Sequence, residues 1–329
     1  LHAQSHCVLG IRAAGAGKRA RVIAMADPWH VIRWTLVALF AASVLYVHFR
    51  GRVRHRPVKQ LTDHSTFVAP YNILMYAFSG VPGEPYHDVA GFPELAPLAA
   101  NWQVIRDEAM RLHHAGQVRA ATGKNDAGFD SFFKYGWKRF YLKWYEEPLP
   151  SAREHCPRTV ALLESIPSLH GAMFAMLPAG GKLGVHRDPY AGSLRYHLGL
   201  STPNSDACRI IVDGEPYAWR DGEAVIFDET YIHWAENRTG TPRMILFADI
   251  ERPLTNRVVR ALNRWVSVHV IKASASANVD GERIGAFNRV FGFFDRIETS
   301  RRRLKTWSKP AYYVVKWGVI VGVAAVLVI

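Results

Sequence analysis

Apolar residues gather in two long runs near the ends of the chain and in short alternating stretches through its middle. The first run, 28–49, has an uncharged centre from Trp34 to Val47, and Trp29, Trp34 and Tyr46 sit where interfacial aromatics would. Its strictly uncharged part is shorter than a full span, which fits a buried core helix as well. Arg50, Arg52, Arg54, Arg56 and Lys59 follow at once, and that basic flank favours a transmembrane anchor. The second run, Ala311 to Ile329, is interrupted by Lys316, which can snorkel, and follows Arg301-Arg302-Arg303, Lys305 and Lys309. Both basic flanks face the middle of the chain and place it in the cytoplasm.

Between these runs the period changes. Leu95, Leu98, Trp102, Ile105, Ala109 and Leu112 predict an amphipathic helix over Glu94 to His113, and Ser151 to Ser165 predicts another. Thr62 to Pro97, with several Pro and Gly, predicts loops. From Gly171 onward short strands are expected near Ala172–Leu177, Leu194–Leu200, Arg209–Val212, Ala224–Phe227, Tyr231–Glu236 and Arg243–Ile250, with turn residues between them. That pattern suits a mainly β domain with flanking helices, a double-stranded β-helix of jelly-roll type. Leu254 to Ile271 sets Arg257, Arg260 and Arg264 against Val258, Val259, Leu262 and Trp265. It reads as a membrane-surface helix or a domain-packing one.

The organisation expected is a non-native or disordered leader (1–24), an anchor (28–49), a basic juxtamembrane connector (50–90), a catalytic domain (91–252), a basic amphipathic membrane-surface region (253–309) and a second anchor (310–329). The leader is polar, basic and rich in Gly and Ala; Met25, just before the first apolar run, reads as the natural start. A targeting peptide would need an apolar core that the leader lacks.

The net charge of +13 calls for an anionic partner: nucleic acid, an anionic membrane face or a phosphorylated substrate. Much of it lies beside the apolar runs, so an anionic membrane surface accounts for it and no nucleic-acid role is expected. Phe132 to Trp144 mixes aromatics with Lys134, Lys138, Arg139 and Lys143, a lipid-phosphate or nucleic-acid surface or else a strand with core aromatics. Cys7, Cys156 and Cys208 form no disulfide framework and no CxxC site, which fits a reducing compartment.

The candidate chemistry is concentrated between His186 and Arg243. His186-Arg187-Asp188 and His233 supply the two histidines and one carboxylate of a facial triad, which binds Fe(II) and leaves positions open. A His-x-Asp triplet alone is a weak signal; its place among consecutive strands makes it specific. Arg243 opens an apolar strand, and a cation there calls for a buried partner. Arg195 and His197 alternate on one strand face, with Leu194, Tyr196 and Leu198 on the other. Asp228 either orients a ligand or caps a turn. His87, His113, His114, His170 and His269 show no ligand spacing.

Several stretches carry a family resemblance: Phe92-Pro93-Glu94-Leu95 with Asn101-Trp102; Gly136-Trp137-Lys138 into Phe140-Tyr141-Leu142; His186-Arg187-Asp188-Pro189; Leu194 to Leu200; Phe227-Asp228; His233; and Arg243. From about Phe92 to Arg252 the chain resembles the aspartyl/asparaginyl β-hydroxylase family of Fe(II)/2-oxoglutarate dioxygenases, most of all the membrane-bound lipid A acyl-chain 2-hydroxylases. The resemblance implies iron on His186, Asp188 and His233, with 2-oxoglutarate and O2 as co-substrates. It also implies that Arg195 and His197 contact the iron-proximal carboxylate of 2-oxoglutarate and that Arg243 pairs with the distal one. Certain relatives hold the distal carboxylate with a serine about eleven residues before the first histidine; Ala175 stands there, which leaves the second anchor unassigned.

The function implied is 2-hydroxylation of a fatty acyl chain of lipid A, at the inner membrane of a bacterium with the catalytic domain facing the cytoplasm. An ornithine-type amino-lipid is the close alternative, and Asp or Asn side chains of a protein a further one. The non-enzyme alternative is a catalytically silent membrane adaptor.

Overall fold

A computed structural model describes residues 28–120, 126, 129–145 and 147–328. The expected leader, Cys7 and Ile329 lie outside the described residues. The boundary between two compact units falls after Ala38, inside helix α1 (Pro28–Phe49). Among the described residues α1 is the one helix long and apolar enough to cross a membrane.

After α1 come three short helices, α2 (Pro57–Leu61), α3 (His64–Phe67) and α4 (Ala69–Ala77). This corrects the loop expected from Thr62 to Pro97. Proline there starts helices rather than breaking them: Pro70 sits in the first turn of α4, where its missing N–H costs nothing. Asp63 caps α3 by accepting from the Ser65 N–H at 3.0 Å.

The same rule divides both predicted helices. Glu94 to His113 resolves into a 3-10 turn (Pro93–Leu95), α5 (Ala96–Ala100) and α6 (Trp102–His114). The segment 151–165 becomes α8 (Pro150–His155) and α9 (Pro157–Glu164), preceded by the short α7 (Asp130–Phe133). Pro97 and Pro157 cannot occupy a helix interior, so each begins a new helix. The segment 254–271 forms α10 (Arg257–Val266), capped by the Asn256 side chain, and a π-helical turn over Ser267–Ile271. Helices α11 (Ala286–Trp307) and α12 (Lys309–Val328) follow.

The strands are β1 (Tyr86–His87), β2 (Lys138–Trp144), β3 (Leu169–Leu177), β4 (Lys182–His186), β5 (Ser193–Ser201), β6 (Cys208–Val212), β7 (Glu215–Ala218), β8 (Ala224–Phe227), β9 (His233–Asn237) and β10 (Arg243–Glu251). They form an antiparallel sheet of order β1-β8-β5-β10-β3-β2 and a second of order β4-β9-β6-β7. The mainly β, jelly-roll expectation with flanking helices holds. The strand edges β1, β4 and β7 were not expected, because each is short or carries few apolar residues.

Alternation along the central strands divides the core in two. Phe174 and Met176 of β3, Leu194, Tyr196 and Leu198 of β5, and Leu246 and Ala248 of β10 face helices α5, α6 and α9. Met173, Ala175 and Leu177 of β3 join Ile245 and Phe247 of β10 against Ile210, Val212 and Ala235 of the smaller sheet. Trp137 and Tyr141 belong to this inner core, so the aromatic-rich stretch is core strand rather than exposed surface. Arg139 is buried there, paired with Asp126 at 2.9 Å.

Candidate functional site

Strand pairing brings the site together. β4 and β9 are antiparallel with His186 opposite His233, and their ring centres stand 4.2 Å apart. Past β4 the backbone is held by the Asp188 N–H donating to the Glu229 carbonyl at 2.9 Å. One ligand atom from each of His186, Asp188 and His233 lies within 4.8 Å of the others. In each histidine Nδ1 faces a carbonyl, Gly184 at 2.7 Å for His186 and Tyr231 at 2.9 Å for His233. A carbonyl only accepts, so Nδ1 carries the proton and Nε2 keeps its lone pair for a metal.

The inner face of β5 and β10 supplies the opposite wall. Residues 195 and 197, and 243 to 249 in steps of two, point to one side, in register with Asp249 opposite Arg195 and Phe247 opposite His197. The Arg195 guanidinium lies 3.8 Å from the centre of the Phe247 ring. It donates to Asp188 Oδ2 at 2.8 Å and pairs with Asp249 Oδ1 at 2.8 Å and Glu229 Oε2 at 3.5 Å. Arg195 thus reaches the pocket, but three protein carboxylates engage its charge, and its first effect is to fix Asp188.

His197 and Arg243 are placed differently. His197 is packed among Trp219, Phe227 and Phe247, and neither ring nitrogen has a hydrogen-bond partner among the described residues. Arg243 is 2% exposed, its guanidinium 4.1 Å from the centre of the Trp219 ring, and its Nε is likewise unpartnered. Burial lowers its pKa to about 10, and among the described residues no carboxylate opposes that shift. The pocket between the two walls is also lined by Phe132, Trp137, Leu183, Ala175 and Ile245.

The metal-binding chemistry fits this donor set, and an uncompensated buried cation beside an unpartnered imidazole fits a carboxylate ligand. Residues 99–253, most of the domain that carries the pocket, match the family model described as aspartyl/asparaginyl beta-hydroxylase. These residues are similar to that family.

An ornithine lipid ester-linked acyl 2-hydroxylase of Rhizobium tropici is 35% identical over 187 residues, 55% of this chain and 64% of the relative. The human aspartyl/asparaginyl beta-hydroxylase is 26% identical over 205 residues, 60% of this chain and 26% of its own length. The chain therefore spans less than two thirds of the length of these relatives. Among solved structures, a Pseudomonas putida prolyl-4-hydroxylase is similar at 16% identity with a TM-score of 0.32, covering 47% of this chain and 88% of that one.

Protonation around the pocket follows from burial and neighbours. Burial, with His186 adding to it, depresses His233 to about 3, so its imidazole stays neutral. Burial together with the charges of Arg243 and Arg195 keeps His197 neutral as well. Burial works to raise Asp188, but Arg195 and the two histidines outweigh it and hold the carboxyl below its ordinary range. Glu229 rises to about 8 because burial and the adjacent Asp249 charge outweigh Arg195, and Asp249 is raised because burial and the Asp188 charge outweigh Arg195.

Asp228 contacts none of the three metal-binding candidates. It caps a turn by accepting from the Thr230 N–H at 3.0 Å and pairs with Arg50 at 2.6 Å and Arg252 at 2.9 Å. Arg50 was read as a membrane-flanking charge, yet it lies between the rings of Tyr76 and Tyr231, each 4.0 Å away. The exposed flank of α1 is Arg52, Arg54, Arg56 and Lys59. Arg187, between two metal-binding candidates, donates to the Val47 carbonyl of α1 at 2.7 Å.

Proposed function

We propose that this chain is a membrane-held Fe(II)/2-oxoglutarate-dependent hydroxylase that 2-hydroxylates a fatty acyl chain of a membrane lipid. The observation that carries the reading is the pairing of the His186, Asp188 and His233 cluster with a buried Arg243 across one pocket.

His186 and His233 would hold the iron through Nε2, and Asp188 through the oxygen that Arg195 leaves free. With 2-oxoglutarate and O2, the bound iron would supply oxidative decarboxylation to succinate and insertion of one oxygen atom into a C–H bond. Arg243 would bind the distal carboxylate as a charge-assisted pair. His197, neutral, would donate one hydrogen bond to the iron-proximal carboxylate. Phe132, Trp137 and Phe247 exclude water from the pocket.

Two features support a lipid substrate. A groove of about 300 Å3 shares Asp188 and Arg195 with the metal pocket and is walled by Phe129, Trp144, Pro189, Val270, Ile271 and Phe287. On α10, Val259 and Asn263 face the domain, whereas Val258, Leu262 and Trp265 form an exposed apolar stripe flanked by arginines. That stripe suits a membrane surface. The relative named for ornithine lipid supports an amino-lipid ahead of lipid A. A cytoplasmic inner-membrane location, with α1 and α12 as anchors, belongs to the same reading.

The test is mass spectrometry of total lipids from a host carrying the chain, against the same host carrying His186→Ala. A gain of one oxygen on amino-lipid or lipid A acyl chains, absent in the variant, supports the proposal and identifies the lipid. The name of the human relative favours a protein side chain as the second reading. Unchanged lipids together with conversion of 2-oxoglutarate to succinate by the purified protein would support it. No conversion at all would leave the silent adaptor.

A further inference from the structure

Trp219 is almost completely buried at the wall of the metal pocket, and its indole N–H has no hydrogen-bond partner among the described residues. A buried donor left unpaired costs free energy that a phenylalanine at this position would avoid. Its neighbours make the choice of indole informative. Arg243 stacks over the Trp219 ring, and the His197 ring centre lies 6.0 Å from it. The rest of this end of the pocket is Ala175, Ile210, Ala235 and Ile245, which offer no polar side-chain atom.

The indole is held in place by its backbone. The Trp219 N–H donates to the Cys208 carbonyl at 3.3 Å, and its own carbonyl accepts from the Thr202 hydroxyl at 3.3 Å. Gly222 donates to Gly199 of β5 at 2.9 Å, and Gly199 to Glu223 at 3.0 Å. A Cβ on Gly199 would overlap the Arg220 carbonyl oxygen, so only glycine lets this segment lie against β5.

We infer that the Trp219 indole N–H is the second anchor of the distal carboxylate of 2-oxoglutarate, beside Arg243. A carboxylate has about four lone-pair sites, more than one guanidinium saturates, and a guanidinium stacked on an indole face keeps its own N–H edge free for the same ligand. The inference rests on the co-substrate proposed above.

The experiment is calorimetric titration of the full-length protein in detergent, loaded with Mn(II) under nitrogen so that no turnover occurs. Two ligands are compared: 2-oxoglutarate, and oxalate, which chelates the metal but has no distal carboxylate. Trp219→Phe should weaken 2-oxoglutarate by about 10- to 100-fold, as expected for loss of a hydrogen bond to a charged group. Oxalate binding should be unchanged and serves as the control for folding. The inference is overturned if the variant binds 2-oxoglutarate as the wild type does, or if oxalate weakens equally. A wild type that binds neither ligand overturns the proposed co-substrate itself, and the anchor with it.

Discussion

Arg243 should trade stability for binding, and the trade can be measured. Burial takes its pKa from an ordinary 12.5 to about 10. At about 1.36 kcal/mol per pH unit, folding disfavours the charged form by about 3 kcal/mol. Stacking on Trp219 offsets up to about 2 kcal/mol of that. Arg243→Met keeps the apolar stem and removes the charge, so the ligand-free variant should melt no lower than the wild type and gain about 1 kcal/mol, which is about 2–4 °C for a domain of this size. Addition of 2-oxoglutarate at about 100 times its Kd should raise the wild type by about 2.7 kcal/mol and leave the variant unmoved. The order of the two melting temperatures therefore inverts on adding ligand. Differential scanning fluorimetry of both Mn(II)-loaded proteins, with and without 2-oxoglutarate, reads this directly. A variant more than about 1 kcal/mol less stable without ligand would show that Arg243 has a protein partner after all, and an equal shift in both proteins would remove it from the binding site.

Glu229 makes stability depend on pH in a definite direction. Its folded pKa of about 8 lies above its ordinary 4.5, so the folded state holds the proton longer and stability falls as pH rises through 8. His233, depressed to about 3, acts in the opposite sense but only below pH 6.5. Between pH 6.5 and 8 the melting temperature of the metal-free protein should therefore fall, and Glu229→Gln should flatten that slope; a slope unchanged in the variant refutes the assignment. Gly199→Ala should cost about 1–3 kcal/mol through overpacking against Arg220. It should also weaken 2-oxoglutarate, because the segment bearing Trp219 must retreat; chemical denaturation and the calorimetric titration above check both.

Strand alternation made much of the inner wall legible. The period-two pattern of Leu194 to Leu198 separated Arg195 and His197 from their apolar neighbours, and the structure keeps that division. The same rule applied to Arg243-Met244-Ile245-Leu246-Phe247-Ala248-Asp249 would have put Asp249 on the face of Arg243, an acid in an apolar strand with a buried role to fill. Trp219 carried no such signal, because its meaning depends on an unpaired N–H that only the packed site reveals. Helix limits failed at prolines: Pro70 was read as a loop former, whereas the helices were read straight through Pro97 and Pro157, each of which begins a new one. The destinations of Arg50 and Arg187 were illegible for another reason: each bonds across more than one hundred positions of sequence, to Asp228 and to Val47.

Those two arginines bear on how a soluble fragment would have to be cut. Residue 50 looks like the place to sever the helix from the β domain, because the apolar run ends there. A cut at that point removes the Val47 carbonyl and leaves the Arg187 NH1 donor without its acceptor, one residue from both His186 and Asp188. The compact unit that contains the pocket starts at Leu39, inside the helix. A fragment that keeps the last three turns of α1 preserves the contact that holds Arg187 between His186 and Asp188, and one trimmed to the hydrophobic boundary does not.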